Sequence, residues 1–506
     1  MVAKTPLDVT ANHARLNALF LLTLGLFTQV GETSSLASNP PCLKSGDKDY
    51  ELYTQHIVEI DSDGSLRCGR NLSELFDNVA RQSHKRIIIY VHGGRRTLHQ
   101  SRQSALGLTK AIQESDSNAY PIFLNWEAGQ ATSYFRHVAY ERNGVSYRES
   151  SSAAVAAIAA PLVFVSDLGR GACRFPINTL LSVGKVLQNS DMLVGRHDHF
   201  FPIKGQFDQW VKYYSGQNKI FEAYRKGFTY PAGSSHSIPA TVSMGPDSHP
   251  NKVGFAAKYV ATLPLQFISE PVLDTFGTPA WNNMVRRTHS MFHLQANYIS
   301  EFHEDIAKND YPKGGAALFF DALDEFMQRK KGDNYKLEIY AHSMGAMIAN
   351  EAFAEHPDLN VKRLVYMAAA CSIRDFRNTA GVYLEKHPST SFYNLSLHPR
   401  AELDEVEVSG IPVRGSLLVW IDEFFNQPRS FGERTLGTFE NAILAQDLLP
   451  RSPNVHLKAF PIASGPQKHK DFAKYCFWKD DFIDTSQQDR YYRQIEEGKL
   501  PPPILP

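Results

Sequence analysis

Ser343 stands in the run Ala341-His342-Ser343-Met344-Gly345, one alanine away from the G-x-S-x-G pattern that turns a nucleophilic serine out of a strand-to-helix junction. Leu337, Ile339 and Tyr340 before it suit a short buried strand, and Met347, Ile348, Ala349 and Ala352 after it suit a helix. A serine hydroxyl is a poor nucleophile alone. It needs an imidazole to take its proton, a carboxylate to orient that imidazole, and N–H donors where negative charge develops. In the chain order serine, acid, histidine, the acid follows the second strand after the serine and the histidine follows the last strand. Behind the strand-like Phe392 to Leu397 the first carboxylate is Glu402, with Asp404 and Glu405 directly after it and Asp422 further on. Glu402 is the first choice for the acid, and the other three stay open. Behind Val455 to Phe460, His469 lies in a polar loop containing glycine and proline, and is a better base than His456 inside that strand. One N–H donor is Met344, next to the serine. The other is Gly93 or Gly94, with Arg95 as a further option, because glycine lets a backbone approach a substrate closely.

These residues require elements to hold them. Arg86 to Val91 ("RIIIYV") and Pro121 to Trp126 ("PIFLNW") are apolar runs of strand length separated by a helical stretch, an order that predicts a parallel sheet. Lys336 to Tyr340, Val361 to Ala370, Phe392 to Leu397 and Val455 to Phe460 continue the strands, and Leu318 to Lys330 reads as an amphipathic helix. About 210 residues separate Trp126 from Lys336, where one crossover needs only about a dozen. A large insertion must precede the serine strand. It contains the apolar pieces Ala153 to Val165 and Phe255 to Ile268, each too short to span a bilayer, which read as lid or groove helices, with ordinary packing helices and membrane-surface contact as the alternatives.

The motifs "YVHGG", "LNW", "AHSMGA" and "KHKDF", in that order, resemble the α/β-hydrolase superfamily and especially its esterase or lipase-like branch. The resemblance covers about residues 84 to 130 and 310 to 480. It implies a mostly parallel α/β-hydrolase sheet with helices on both faces, a triad of Ser343, an acid and His469, and no cofactor. Substrate class does not carry over from it, because one such scaffold hosts many chemistries; the simplest expectation is a small-molecule or lipid-like ester cleaved through an acyl-enzyme. An acyltransferase would use the same residues, and a non-catalytic binding protein on the same scaffold is the reading of another class. Two departures from the family pattern are Ala341 in place of the first elbow glycine and the position of the insertion. The divisions read from the sequence are 1–37, 38–83, a core of 84–130 and 310–485, an inserted cap or lid of 131–309, and a tail of 486–506.

Composition excludes other classes. Lys and Arg total 53 against 53 Asp and Glu, which leaves no basic footprint for nucleic acid. Lys4 and Arg15 precede an apolar run from Leu16 to Val30 and the small residues Ser35-Leu36-Ala37, the order of a secretory signal cleaved after Ala37. An uncleaved membrane anchor and a buried helix are the alternatives. Export would make Cys42 and Cys68 the natural disulfide partners among five scattered cysteines. Metal-ligand patterns are weak: Arg196-His197-Asp198-His199 is a loop, His303-Glu304 lacks the second histidine of H-E-x-x-H, and His289 and His293 share a helix face but make no zinc site alone. Gly277 to Thr288, with Trp281, Arg286 and Arg287, reads as a packed helix or as an acid-binding wall of the cleft.

Overall fold

The computed structural model describes residues 40–94, 96–139, 158–175, 274–294, 312–398, 430–460 and 465–483. Shorter described pieces are 141–142, 145–146, 228–229, 240–242, 401–402, 405, 407–408, 411–412, 415–426 and 428. The expected signal, the second apolar piece of the insertion, Arg95, Asp404, the 196–199 and 303–304 motifs and the tail lie outside them. Among the described residues no helix is long and apolar enough to cross a membrane. Cys42 and Cys68 are both disulfide-bonded, whereas Cys173, Cys371 and Cys476 are free. Residues Leu43–Pro506 form one unit, and the sheet, the helices and the candidate site all belong to it.

Seven parallel strands form the centre of that unit: β1 (Ile57–Ile60), β2 (Arg86–Val91), β3 (Ala119–Trp126), β4 (Lys336–His342), β5 (Val361–Met367), β6 (Ser391–Ser396) and β7 (Val455–Ala459). Their order across the sheet is β1-β3-β2-β4-β5-β6-β7. Strands covered on both faces carry near-continuous apolar runs rather than alternation, which is why β2 and β3 are so plain in the sequence. All eight residues of β3 are buried. Register places Tyr90 of β2 beside Phe123 of β3 and Tyr340 of β4, and Tyr340 in turn beside Val365 of β5.

The helices of the frame are α1 (Tyr50–His56), α2 (Leu72–Arg81), α3 (Leu98–Ser115), α4 (Gln130–Ala139), α5 (158–175), α6 (274–290), α7 (Gly315–Arg329) and α8 (Gly345–Glu355). Phe76 of α2 stacks on Phe319 and Phe326 of α7 and ties those two helices together. Thr97 and Gln100 form a reciprocal capping box at the start of α3. At the N-terminal side of the sheet Arg86 of β2 holds Glu338 of β4 through two bonds of 3.0 and 2.8 Å. Arg363 of β5 adds a contact of 3.4 Å to the same carboxylate. Charge thus locks one end of the strands and leaves the C-terminal end for loops.

Two of the expected boundaries change. The segment 38–83 is no separate leader to the core, because its β1 pairs with β3 along four residues. Nor is 131–309 wholly a cap: Ala240–Val242 pairs in parallel with β7, and Phe228–Thr229 pairs antiparallel with that piece, so both widen the central sheet. Three residues or fewer carry no readable periodicity. From β2 the chain moves outward to β3 on one side, and β4 lies against β2 on the other. In open α/β sheets such a reversal opens a crevice beyond the carboxyl ends of the strands, and ligands bind there. His92-Gly93-Gly94 leaves β2 at that point and Ser343 leaves β4.

Candidate active site

Ser343 follows β4 directly and has φ 53°, in the left-handed region that a residue with a side chain adopts at a cost. Three hydrogen bonds hold it there. Its N–H donates to Met367 O at 2.9 Å, and its C=O accepts from Ala346 N at 3.1 Å and Ala370 N at 3.0 Å. The neighbours are small for a steric reason. A Cβ on Gly345 would lie 2.3 Å from Val91 O, and Ala341 is fully buried between Val91 of β2 and Tyr366 of β5. Alanine is small enough to fit there.

His469 opens a short helical turn (His469–Lys474), and its Nε2 stands 2.8 Å from Ser343 Oγ. With Nε2 accepting the hydroxyl proton, the neutral ring carries its own proton on Nδ1. The backbone of His469 is fixed at both ends. Its N–H donates to Glu405 Oε2 at 2.9 Å, and its C=O accepts from His342 Nε2 at 3.0 Å. A carbonyl can only accept, so His342 must carry its proton on Nε2. Burial pushes the His342 imidazole down to about 4, and it does this work neutral. Asp471 accepts from the N–H groups of Lys468 and Gln467 at 2.8 and 3.2 Å and closes the turn. Ser343 is 1 % exposed and His469 4 %, so charge developing here is shielded from bulk water.

The acid is where geometry departs from the sequence ranking. Of Glu402, Glu405 and Asp422, Glu405 is the one hydrogen-bonded to His469, through the backbone N–H that precedes the ring. Glu402, the first choice, is engaged elsewhere: its carboxyl accepts from Ser416 Oγ. Asp422 accepts from Thr435 N at 2.8 Å, Thr435 Oγ1 at 3.2 Å and Asn441 Nδ2 at 2.8 Å. That carboxyl is a buried anchor for the 435–441 segment, with a pKa raised by burial to about 6. Glu402 and Glu405 share one helical turn, shown by Glu402 N to His398 O at 3.0 Å and Glu405 N to Ala401 O at 3.1 Å. Three residues apart on a turn, the two carboxyls lie on the same side of it, but they meet different partners, Ser416 Oγ for Glu402 and His469 N–H for Glu405.

Burial also pushes the Glu402 carboxyl up to about 8, well above the ordinary carboxylate range. A raised carboxyl keeps in the fold a proton that the unfolded chain releases. Its stabilising contribution is therefore complete below about pH 4, declines as pH rises, and is lost by about pH 8. Glu402→Gln keeps an acceptor for Ser416 and removes this loss. Its Tm, relative to wild type, is expected to be higher at pH 9 than at pH 5; an offset that does not change with pH would show that the carboxyl is ionised throughout.

The donor loop is set by His92. Its Nδ1 donates to Gly93 O at 2.6 Å, its Nε2 accepts from Trp126 N at 3.1 Å, and Trp126 Nε1 donates to His92 O at 3.3 Å. Burial holds this ring neutral, down to about 3, as one donor and one acceptor require. Across a trans peptide the C=O and N–H point opposite ways, so pinning Gly93 O away fixes the direction of Gly94 N–H. Met344 N–H has no acceptor among the described residues. Glu127 secures the loops behind: it accepts from Leu98 N and Gly129 N at 3.0 Å each and from Thr132 Oγ1 at 2.9 Å. Gly93 has no room for a side chain, since a Cβ there would lie 2.6 Å from Ser343 Cβ and 3.0 Å from His342 O. Gly93→Ala is therefore expected to cost about 1 to 3 kcal/mol in urea unfolding; an unchanged midpoint would mean that the loop yields freely.

The structure thus brings Ser343, His469, Gly93, Gly94 and Met344 to one place, adds Glu405, and sets Glu402 and Asp422 to other work. His92 and His342 were missed as positioning residues, although each adjoins a residue the sequence singled out. Arg287 of α6 is no substrate wall: it is spent on Glu141 at 3.1 and 3.0 Å and on Ser133 Oγ at 2.8 Å. Comparison with protein-family models, with curated proteins and with solved structures finds no match.

Proposed function

We propose that this protein is a serine hydrolase of the α/β-hydrolase type, cleaving a carboxylic ester through Ser343, His469 and Glu405. The observation that carries the reading is the 2.8 Å contact between Ser343 Oγ and His469 Nε2, made by a serine held at positive φ between strand and helix. Ser343 Oγ attacks the ester carbonyl while His469 Nε2 takes its proton. Met344 N–H and a glycine N–H of the β2 loop receive the oxyanion, each donor supporting roughly 2.7 to 4 kcal/mol of barrier lowering. His469 then protonates the departing alkoxide, which leaves as alcohol and an acyl-enzyme. Water, deprotonated by the same imidazole, releases the acid and restores the serine. Glu405 stabilises the imidazolium formed in each half-reaction.

Labelling with a fluorophosphonate tests this. Wild type is expected to react at one residue and Ser343→Ala not at all; a well-folded wild type that resists the reagent overturns the reading.

A further inference from the structure

Beyond the serine, α8 carries a second concentration of chemistry. Glu351 and Glu355 lie four apart on one side of α8, while His289 lies in the last turn of α6 and His293 in the turn just beyond it. His293 Nε2 is 2.7 Å from Glu355 Oε1 and 3.7 Å from Glu351 Oε1. His289 Nδ1 is 3.9 Å from Glu351 Oε2. One ligand atom each from His293, Glu351 and Glu355 fall within 4.8 Å of one another. His293 Nε2 and Glu355 Oε1 are both buried and, though close, form no aligned hydrogen bond. Two such atoms aimed past each other suit a shared third partner.

We propose that His293, Glu351 and Glu355, with His289 at the rim, bind a divalent metal ion of the zinc type. Donors about 2.0 to 2.2 Å from a tetrahedral zinc lie about 3.4 Å from each other. The separations of 2.7 to 3.9 Å bracket that value, so small side-chain rotations complete the shell. Imidazole favours zinc and its neighbours, whereas calcium and magnesium prefer oxygen alone. The residues are already positioned. His293 N donates to His289 O at 3.0 Å, and the next turn is stitched to the start of α7 by Gly314 N to Phe292 O at 2.8 Å and Ala316 N to Met291 O at 2.9 Å.

The ion would sit apart from the serine, because Glu351 lies about 12 Å along the helix axis at 1.5 Å per residue. Its work there is structural. Met284 of α6 reaches Gly94, where a Cβ would stand 3.9 Å from its Sδ. A metal joining the end of α6 to α8 therefore clamps the helix that borders the donor loop onto the helix that begins beside Ser343.

The full chain, stripped with chelator and dialysed against zinc, is expected to retain one equivalent by elemental analysis and to gain several degrees in Tm. Calcium and magnesium at the same concentration should give neither. Cobalt should give the visible absorption of a tetrahedral site. His293→Gln and, separately, Glu355→Gln should lose both the bound equivalent and the Tm gain; Glu355 is partly exposed, so its variant keeps the test open if His293→Gln does not fold. Wild type that retains no zinc, variants that keep the full equivalent, or a gain given by calcium instead of zinc would each overturn the proposal. None of these readouts depends on ester hydrolysis, so the clamp and the catalytic reading fail separately.

Discussion

Ser343→Ala is expected to lower kcat for a p-nitrophenyl ester by about 10⁴ to 10⁶-fold, since the residues of such a site act as a unit and losing the nucleophile loses nearly all of it. The fold should survive. Alanine keeps the Cβ, and the backbone bonds of residue 343 to Met367, Ala346 and Ala370 do not involve the hydroxyl. Stability should change modestly, because His469 Nε2 is left in a buried site without the serine, an effect of about 1 to 3 kcal/mol. Ser343→Gly separates chemistry from strain: equally inactive, it should be more stable than Ser343→Ala, because glycine adopts φ 53° without penalty. Kinetics and thermal melting of the two variants read both effects. An alanine variant that still turns over at a tenth of the wild-type rate would remove Ser343 from the mechanism.

Glu405→Gln is expected to reduce kcat by about 10⁴-fold, the scale seen when a triad carboxylate becomes an amide. The amide oxygen can still accept from His469 N–H, so the loop should stay in place while the charge that supports the imidazolium disappears. Glu402→Gln and Asp422→Asn are the controls. Glu402 serves Ser416, and Asp422 serves Thr435 and Asn441, so the first should keep kcat within a few-fold and the second should lose stability before it loses turnover. A Glu405→Gln enzyme of near wild-type kcat, with the loss appearing in Glu402→Gln, would return the acid role to the sequence's first choice.

The difference between those carboxylates also marks how far the sequence could be read. Strands β2, β3 and β4 were legible because burial on both faces forces unbroken apolar runs, and the serine and glycine loops are visible because turns at strand ends demand small residues. His469 was legible from its place after the last strand. Choosing between Glu402 and Glu405 needed the tertiary partner each carboxyl meets, and counting from a strand end does not encode that. β1 escaped notice at four residues, and the outer strand at 240–242 joins the sheet through a partner more than two hundred residues away. The histidines at 289 and 293 were visible as a pair. Their glutamate partners on α8 belong to a helix whose apolar content had suggested only packing.

The bonds that fix Ser343 to the end of β5 bear on how the protein fails when heated. A strained turn tied only to its own helix could melt alone and leave the rest folded. Here the amide of Ser343 is sealed by Met367, a residue of the neighbouring central strand. Its hydrogen should exchange with solvent deuterium only as slowly as the whole sheet opens. Loss of the reactive serine geometry and global unfolding should then follow one curve, with no warm, folded, inactive state between them.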